Sequence, residues 1–275
     1  MDIIEKIDES IIQHGKHNDR IYLMKLDTKE PEKLLSLLED KAKKNNYSKI
    51  FAKIPACAKD VFLENGYVVE AYIPNMYKGK EDVFFMAKYY KKWRSQQDEG
   101  IIKVLEISRA KESIDEIDIN LDKRFHYRVL DKNDAKDMVE VYKQVFKTYP
   151  FPIHDYTYLQ KTMDENFVYF GIFLNNKLVG LSSSEMDNKG LNVEMTDFAT
   201  LPEFRGNGFA IYLLNEMEKE MRKRGIKTAF TIVRAKSFGM NITFAKKGYT
   251  YSGTLIKNTN IAGEFETMNV WYKSL

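Results

Sequence analysis

The stretch TLPEFRGNGFAIYLL, Thr200 to Leu214, sets Pro202, Arg205 and two glycines, Gly206 and Gly208, between two apolar runs. The run before it, LNVEMTDFAT (191–200), reads as a strand. After Gly208, the residues Ala210, Leu213, Leu214, Met217 and Met221 recur at helical spacing, and Gly225 stops the helix. The order is strand, glycine-bearing loop, helix. A helix N-terminus carries unpaired N–H groups and a partial positive charge, which suits a phosphate. Glycines let the backbone approach a ligand closely, and Arg205 adds a fixed cation. A turn that merely joins the two elements would use the same residues, so the stretch alone leaves both readings open. It excludes two others. A dinucleotide fingerprint needs a third glycine where Ile211 stands, and a P-loop needs a Lys-Ser/Thr pair after its last glycine.

The 275 residues leave room for two domains. A hydrophobic share of 44% beside 30% charged residues describes a soluble globular chain that can bury a core. Lys+Arg 43 against Asp+Glu 40 leaves a net charge of +3, too slight to point to nucleic acid, and no basic block is interleaved with aromatics. No apolar run approaches the roughly eighteen residues of a membrane span. The start, MDIIEKIDES, lacks the basic-then-apolar order of a signal peptide. Cys57 is the only cysteine, so no intrachain disulfide is expected, which fits a reducing cytoplasm.

Residues 1–92 alternate strand-like and helix-like pieces. RIYLMKL (20–26) is a strand, and Pro31 opens a helix whose apolar face is Leu34, Leu35, Leu37 and Leu38. KIFAKIP follows as a strand and ACAKDVFLENG as a short helix stopped by Gly66. YVVEAYI and DVFFMAKYY are two more strands, separated by the turn-rich PNMYKGK. The order β-α-β-α-β-β predicts a small α/β domain. Residues 93–122 are charged and read as an exposed linker, helical in part. Residues 123–275 begin with the strand FHYRVL and a helix that ends before Pro150. A helix over 155–166, a hairpin, the opening stretch, the strand KTAFTIV, a helix over 237–247 and two closing strands complete a second α/β (α+β) domain.

With these elements placed, VEMTDFATLPEFRGNGFAIYLL (193–214) and FAKKGY (244–249) together resemble the GNAT acyl-CoA N-acyltransferases, whose coenzyme loop reads Gln/Arg-x-x-Gly-x-Gly/Ala after the fourth strand. The resemblance covers residues 126–275. It implies the family's fold with a mixed central sheet, and acetyl-CoA as co-substrate lying between strands four and five. It also implies that the pantetheine arm pairs with backbone at Phe198, Ala199 and Thr200. The pyrophosphate would then rest on Arg205, Gly206, Asn207, Gly208, Phe209 and Ala210. Ser237, which replaces a usual Asn, is grouped with these coenzyme residues.

An amine must lose its proton before it attacks a thioester, and at an ordinary pKa near 10.4 this costs about 4–5 kcal/mol at pH 7. A carboxylate at the reacting centre can take that proton. Glu194, eleven residues before Arg205, stands where several members of the family place their base. Asp197 is the second candidate; on a regular strand it faces away from Glu194 unless a bulge intervenes. The plain alternative for both is an exposed strand carboxylate. The family's tyrosine for the leaving thiolate corresponds to Phe244, which leaves Tyr249, Tyr251 or water for that task. The plain alternative for each tyrosine is core packing. His14 and His17 sit in the polar stretch QHGKHNDR without a third ligand, so no metal is expected, and Cys57 reads as a small helix residue.

A narrower resemblance, to the β-lysine N-acetyltransferases, is carried by residues 51–90, by EMTDFATLPEFRGNGFA and by MNVWYKSL. It implies β-lysine as acceptor, a compatible-solute product for osmoadaptation, a cytoplasmic enzyme and a pathway link to a lysine 2,3-aminomutase. A polyamine or protein lysine as acceptor, or a silent acyl-CoA-binding regulator, are the alternatives. A β-lysine pocket calls for a cation, for which Arg234 is the candidate, and for acidic groups, for which Glu185, Asp197 and Glu264 are candidates. Finally, VFLENGY ends nineteen residues before Met86 and TFAKKGY nineteen before Met268. This repeat suggests that the first domain is a degenerate partial copy of the second. Lacking the glycine loop, it would cover the acceptor pocket or form a homodimer.

Overall fold

Among the described residues thirteen strands form, and both halves of the chain contribute them to one sheet. The computed structural model describes residues 2–112 and 120–275. In the first half, β1 (Ile3–Ile7), β2 (Ser10–Gly15) and β3 (Arg20–Lys25) form an antiparallel meander. Helix α1 (Pro31–Asn45) then carries the chain back, so that β4 (Lys49–Pro55) lies parallel to β3. Helix α2 (Lys59–Glu64) leads into the hairpin of β5 (Val68–Tyr77) and β6 (Glu81–Tyr89), with β6 inserted between β4 and β5.

The second half starts with α3 (Gly100–Arg109), β7 (Phe125–Val129), α4 (Ala135–Val145) and α5 (Tyr156–Glu165). A meander of β8 (Phe167–Leu174), β9 (Lys177–Asp187) and β10 (Asn192–Thr200) follows. Helix α6 (Phe209–Lys223) places β11 (Thr228–Arg234) parallel to β10. Helix α7 (Phe238–Lys246) leads to β12 (Thr250–Ile261) and β13 (Glu264–Ser274), with β13 inserted between β11 and β12. The sheet order is β1-β2-β3-β4-β6-β5-β12-β13-β11-β10-β9-β8-β7. The two halves therefore follow the same path: antiparallel strands, a helical crossover to a parallel strand, a second helix, and a hairpin whose last strand moves inward.

Pro31 fixes the first turn of α1, and Asn46 ends the helix in the left-handed conformation. Leu34, Leu35, Leu38 and Ala42 pack on Ile21, Leu23 and Ile50, each buried Leu contributing about 1.5–3 kcal/mol. Leu37, expected on that face, is exposed. In α6 the periodic residues Leu213, Leu214, Met217 and Met221 are all buried in a larger core under the second half of the sheet.

The seam between the halves is narrow in backbone terms, with Gly253 of β12 paired to Ala71 of β5. A side chain at 253 would collide with the backbone of Glu70 and Ala71, so glycine is required for this approach. Side chains reinforce the seam. The buried Lys49–Glu70 ion pair (2.8 Å) also binds both backbone groups of Ile256. Ser252 exchanges hydrogen bonds with the backbone of Tyr72.

Several expectations change. β1 and β2 were not foreseen, and His14 lies within β2, buried and bonded to the Tyr47 hydroxyl at 3.1 Å. β5 continues through PNMY, which leaves only a tight turn before β6. The expected exposed linker packs in part. A short 3₁₀ turn at Lys92–Ser95 buries Arg94 against the ring of Phe265 at 3.8 Å, and α3 buries Ile101, Val104 and Ser108. The linker's residues 113–119 lie outside those described. Among the described residues no helix is long and apolar enough to cross a membrane.

Candidate active site

The parallel pair β10–β11 is short. Asn192, Val193 and Glu194 pair with Thr228, Ala229 and Phe230, and beyond that point the described strands part. Between Thr196 and Ala199, β10 also shifts register against β9, and Asp197 takes φ +55° within the bulge. The bulge turns Asp197 to the side that a regular strand would deny it, so that Glu194 and Asp197 line the same cavity.

At the end of β10 the chain enters the glycine loop. Gly206 and Gly208 have φ +88° and +73°, a region that costs other residues about 1–2 kcal/mol. An added Cβ on Gly206 would meet nothing within 4 Å, and one on Gly208 would meet only Ile211 at 3.9 Å. These glycines therefore supply conformation and leave the space above them open. The N–H groups from Gly206 to Ile211 donate to no backbone carbonyl, as expected where a helix begins. Asn207 braces the loop through the Phe204 carbonyl at 2.8 Å, and Phe209 seats the helix edge-on against Phe125. Arg205 is exposed on the rim.

The cavity has a volume of about 1260 Å³. It runs from this loop, past the fork between β10 and β11, to a chamber walled by Tyr22, Phe51, Lys53 and Tyr77 of the first half. Five strands separate β4 from β10 in the sheet order, so the sheet must curl to bring Lys53 to the same cavity as Glu194.

Glu194 stands directly opposite Glu185 on the neighbouring β9. Enclosure by the protein pushes the Glu194 carboxyl up to about 8, with the facing Glu185 adding to the effect; Lys53 and the Ile232 backbone oppose it. Glu185 is also raised, by burial first and by Asp197, against the pull of Lys53. Asp197 is raised by burial although three hydroxyls favour its charged form. Ser183 donates to it at 2.5 Å, and Tyr149 donates to its other oxygen. The site thus holds a facing pair of buried carboxyls, both raised above the ordinary carboxylate range.

Of the other expected residues, Phe198, Thr200, Ser237 and Ala210 line the cavity. Ala199 is buried and pairs with Leu181 of β9. Tyr249 does not reach the cavity. Its ring is buried edge-on against Phe244, and its hydroxyl lies beside Glu218 in the core. Tyr251 hydrogen-bonds Thr254 and is not a lining residue. Phe244 itself borders the cavity beside Phe198, so an apolar edge occupies the place of the family's tyrosine. Arg234 lines the cavity but is held by Glu266 at 2.5 Å. Glu264 is exposed at the turn end of the β12–β13 hairpin and is not among the residues lining the cavity, whereas Glu266, two residues further into the strand, is buried. Tyr149, Tyr22, Tyr77 and Lys53 were not foreseen; the aromatic segment TYPFP after α4 is the one sequence signal that could have drawn attention to Tyr149.

A parallel strand pair that forks above a glycine-led helix, with buried carboxyls at the fork, is the arrangement that the resemblance to the acyl-CoA acyltransferases implies. Comparison with known proteins agrees. Residues 135–249 match the acetyltransferase (GNAT) family. A β-lysine N(6)-acetyltransferase of Methanococcus maripaludis is 42% identical over 281 residues, spanning 99% of each chain. N-acetyltransferase YodP of Bacillus subtilis is 33% identical over 276 residues, covering 97% of this chain and 96% of its own. A β-lysine N(6)-acetyltransferase of Methanosarcina mazei is 39% identical over 142 residues, 52% of each chain. The protein belongs to the GNAT acetyltransferase family and is an N-acetyltransferase.

Proposed function

We propose that this enzyme transfers the acetyl group of acetyl-CoA to the terminal amine of β-lysine, giving Nε-acetyl-β-lysine. The observation that carries the reading is the facing Glu194–Glu185 pair, set in a cavity that both the glycine loop and the first half of the chain enclose. The open left-handed glycines and the free N–H groups that follow them suit a pyrophosphate. From Phe198 to Thr200, β10 has no strand partner on its β11 side, and that edge suits the amide groups of a pantetheine arm. Acetyl-CoA supplies the thioester carbonyl.

Glu194 receives the proton of the incoming ammonium. A carboxyl poised at about 8 is one-tenth ionised at pH 7, and a bound ammonium shifts it further toward the charged form. Glu185 holds the second ammonium of the diamino acid. Asp197, kept in place by Ser183 and Tyr149, adds negative potential at the fork. Phe244 offers no proton, so the thiolate takes one from water.

The product would act as a compatible solute in the cytoplasm, with a lysine 2,3-aminomutase supplying the acceptor. The full-length similarity to a relative named for β-lysine supports this. The first half, a degenerate copy by its strand path, walls the acceptor chamber; its β3–α1 connection, LDTKE, has no glycine.

The test is coenzyme A release with β-lysine, spermidine and a lysine-containing peptide in parallel. Turnover is expected with β-lysine. Preference for spermidine or the peptide would reassign the acceptor, and tight acetyl-CoA binding without any turnover would mark a regulator.

A further inference from the structure

The β-lysine reading provides for both ammonium groups of the acceptor and leaves its carboxylate without a partner. Of the cations that line the cavity, Arg234 is neutralised by Glu266. Arg20 donates through one terminal nitrogen to the Asn258 carbonyl and Thr259, and its guanidinium is stacked over the rings of Tyr22 and Phe51. Arg205 belongs to the glycine loop, and Lys25 and Lys189 are exposed at the rim. Lys53 differs from all of these. It sits on β4, half-buried, and its ammonium makes no hydrogen bond or ion pair with any described residue. It lies over the face of Phe230, 6.0 Å from the ring centroid.

The surroundings keep Lys53 charged. Burial alone would lower its pKa, but Tyr22, Tyr77, Glu185 and Glu194 outweigh that and hold it above the ordinary lysine value. Lys53 therefore presents a charged ammonium to the cavity with no bonded anion among the described residues, and a ligand carboxylate can pair with it. The Tyr22 and Tyr77 hydroxyls border the same chamber and can share in holding it.

We propose that Lys53 is the specificity residue that binds the acceptor's carboxylate, so that the first half of the chain selects amino-acid acceptors over plain polyamines. This inference depends on the diamino-acid reading above. Its elements are consistent with it: Lys53 stands on the wall opposite the fork, while Glu194 and Glu185 stand at it.

The test compares kcat/KM for β-lysine and for 1,4-diaminopentane, which is β-lysine without its carboxylate, in the wild type, Lys53→Met and Lys53→Arg. The wild type should prefer β-lysine. Lys53→Met should lower the ratio of kcat/KM for β-lysine to that for the diamine about 10–100-fold, over and above any change common to both acceptors that follows from losing the cation beside Glu194 and Glu185. Lys53→Arg should retain part of the preference. Diamine turnover serves as the control that Lys53→Met is folded; if that variant fails to fold, the Lys53→Arg and Lys53→Gln ratios decide. An unchanged β-lysine preference in the Met variant would overturn the proposal. So would an equal loss for both acceptors with a raised pH–rate limb, since Lys53 would then act only on the facing carboxyls. A wild type that acetylates neither compound would overturn the acceptor reading itself, whereas a normal wild type with an unaltered Met variant would refute Lys53 alone.

Discussion

Glu194→Gln isolates the proton transfer, because the amide keeps the shape of the side chain and cannot accept the proton. The free carboxyl is poised at about 8, raised by burial and by Glu185 across the strand pair. At saturating acetyl-CoA, kcat/KM for the ammonium form of the acceptor should follow the ionised fraction of this group. Each pH unit below 8 then costs tenfold, so pH 6 should lie about 100-fold beneath the plateau. Between pH 8 and the ordinary amine pKa near 10.4 the profile should be level. In the Gln variant the plateau should drop by about 10²–10⁴, and the limb near pH 8 should disappear. The residual rate should then climb up to the amine's own pKa. Coenzyme A release, followed with a thiol reagent from pH 6 to 9.5, reads both effects. A Gln variant within threefold of wild type would refute the assignment, as would a wild-type profile with no break near 8.

The same carboxyl links stability to pH. Its folded pKa of about 8 lies above the ordinary 4.5, so the folded state binds the extra proton. Stability is therefore lost as pH rises from about 4.5 through 8, by at most a few kcal/mol, and the Gln variant should gain Tm over wild type at pH 9 but not at pH 5; equal differences at both would contradict this. Gly208→Val should weaken acetyl-CoA binding by tenfold or more in calorimetry while circular dichroism stays native, because φ +73° is unsuited to Val although nothing crowds the position except Ile211. Lys49→Met strands Glu70 at the seam between the halves and should cost about 3–5 kcal/mol, a fall of roughly 10 °C in Tm; a smaller loss than about 1 kcal/mol would show that the pair does not hold the seam.

How far the site was legible follows from the kind of signal each residue leaves. Arg205, Gly206 and Gly208 sit in one continuous stretch, where conformational demand and helix start are both local, so sequence alone locates them. Glu194 is legible as a strand carboxylate at a set distance from that stretch. The side on which Asp197 lies is not, since a bulge is a backbone event that residue alternation does not record. Tyr249 was misplaced because an apolar strand pattern does not say which layer a ring enters. Lys53 is invisible as a site residue in sequence: Glu194 and Glu185 lie across five and six intervening strands and meet it only through the curl of the sheet. β2 was hidden by Gln13 and His14, polar residues that are buried in it, His14 against the Tyr47 hydroxyl.

The most direct test of an amine acetyltransferase whose fork faces the far end of a diamino acid is the position of the acetyl group. The enzyme would be incubated with acetyl-CoA and β-lysine, and the product examined by two-dimensional NMR. A single product acetylated on the terminal nitrogen is predicted. Acetylation on the β-nitrogen, a mixture of the two, or unreacted β-lysine beside intact acetyl-CoA would contradict it.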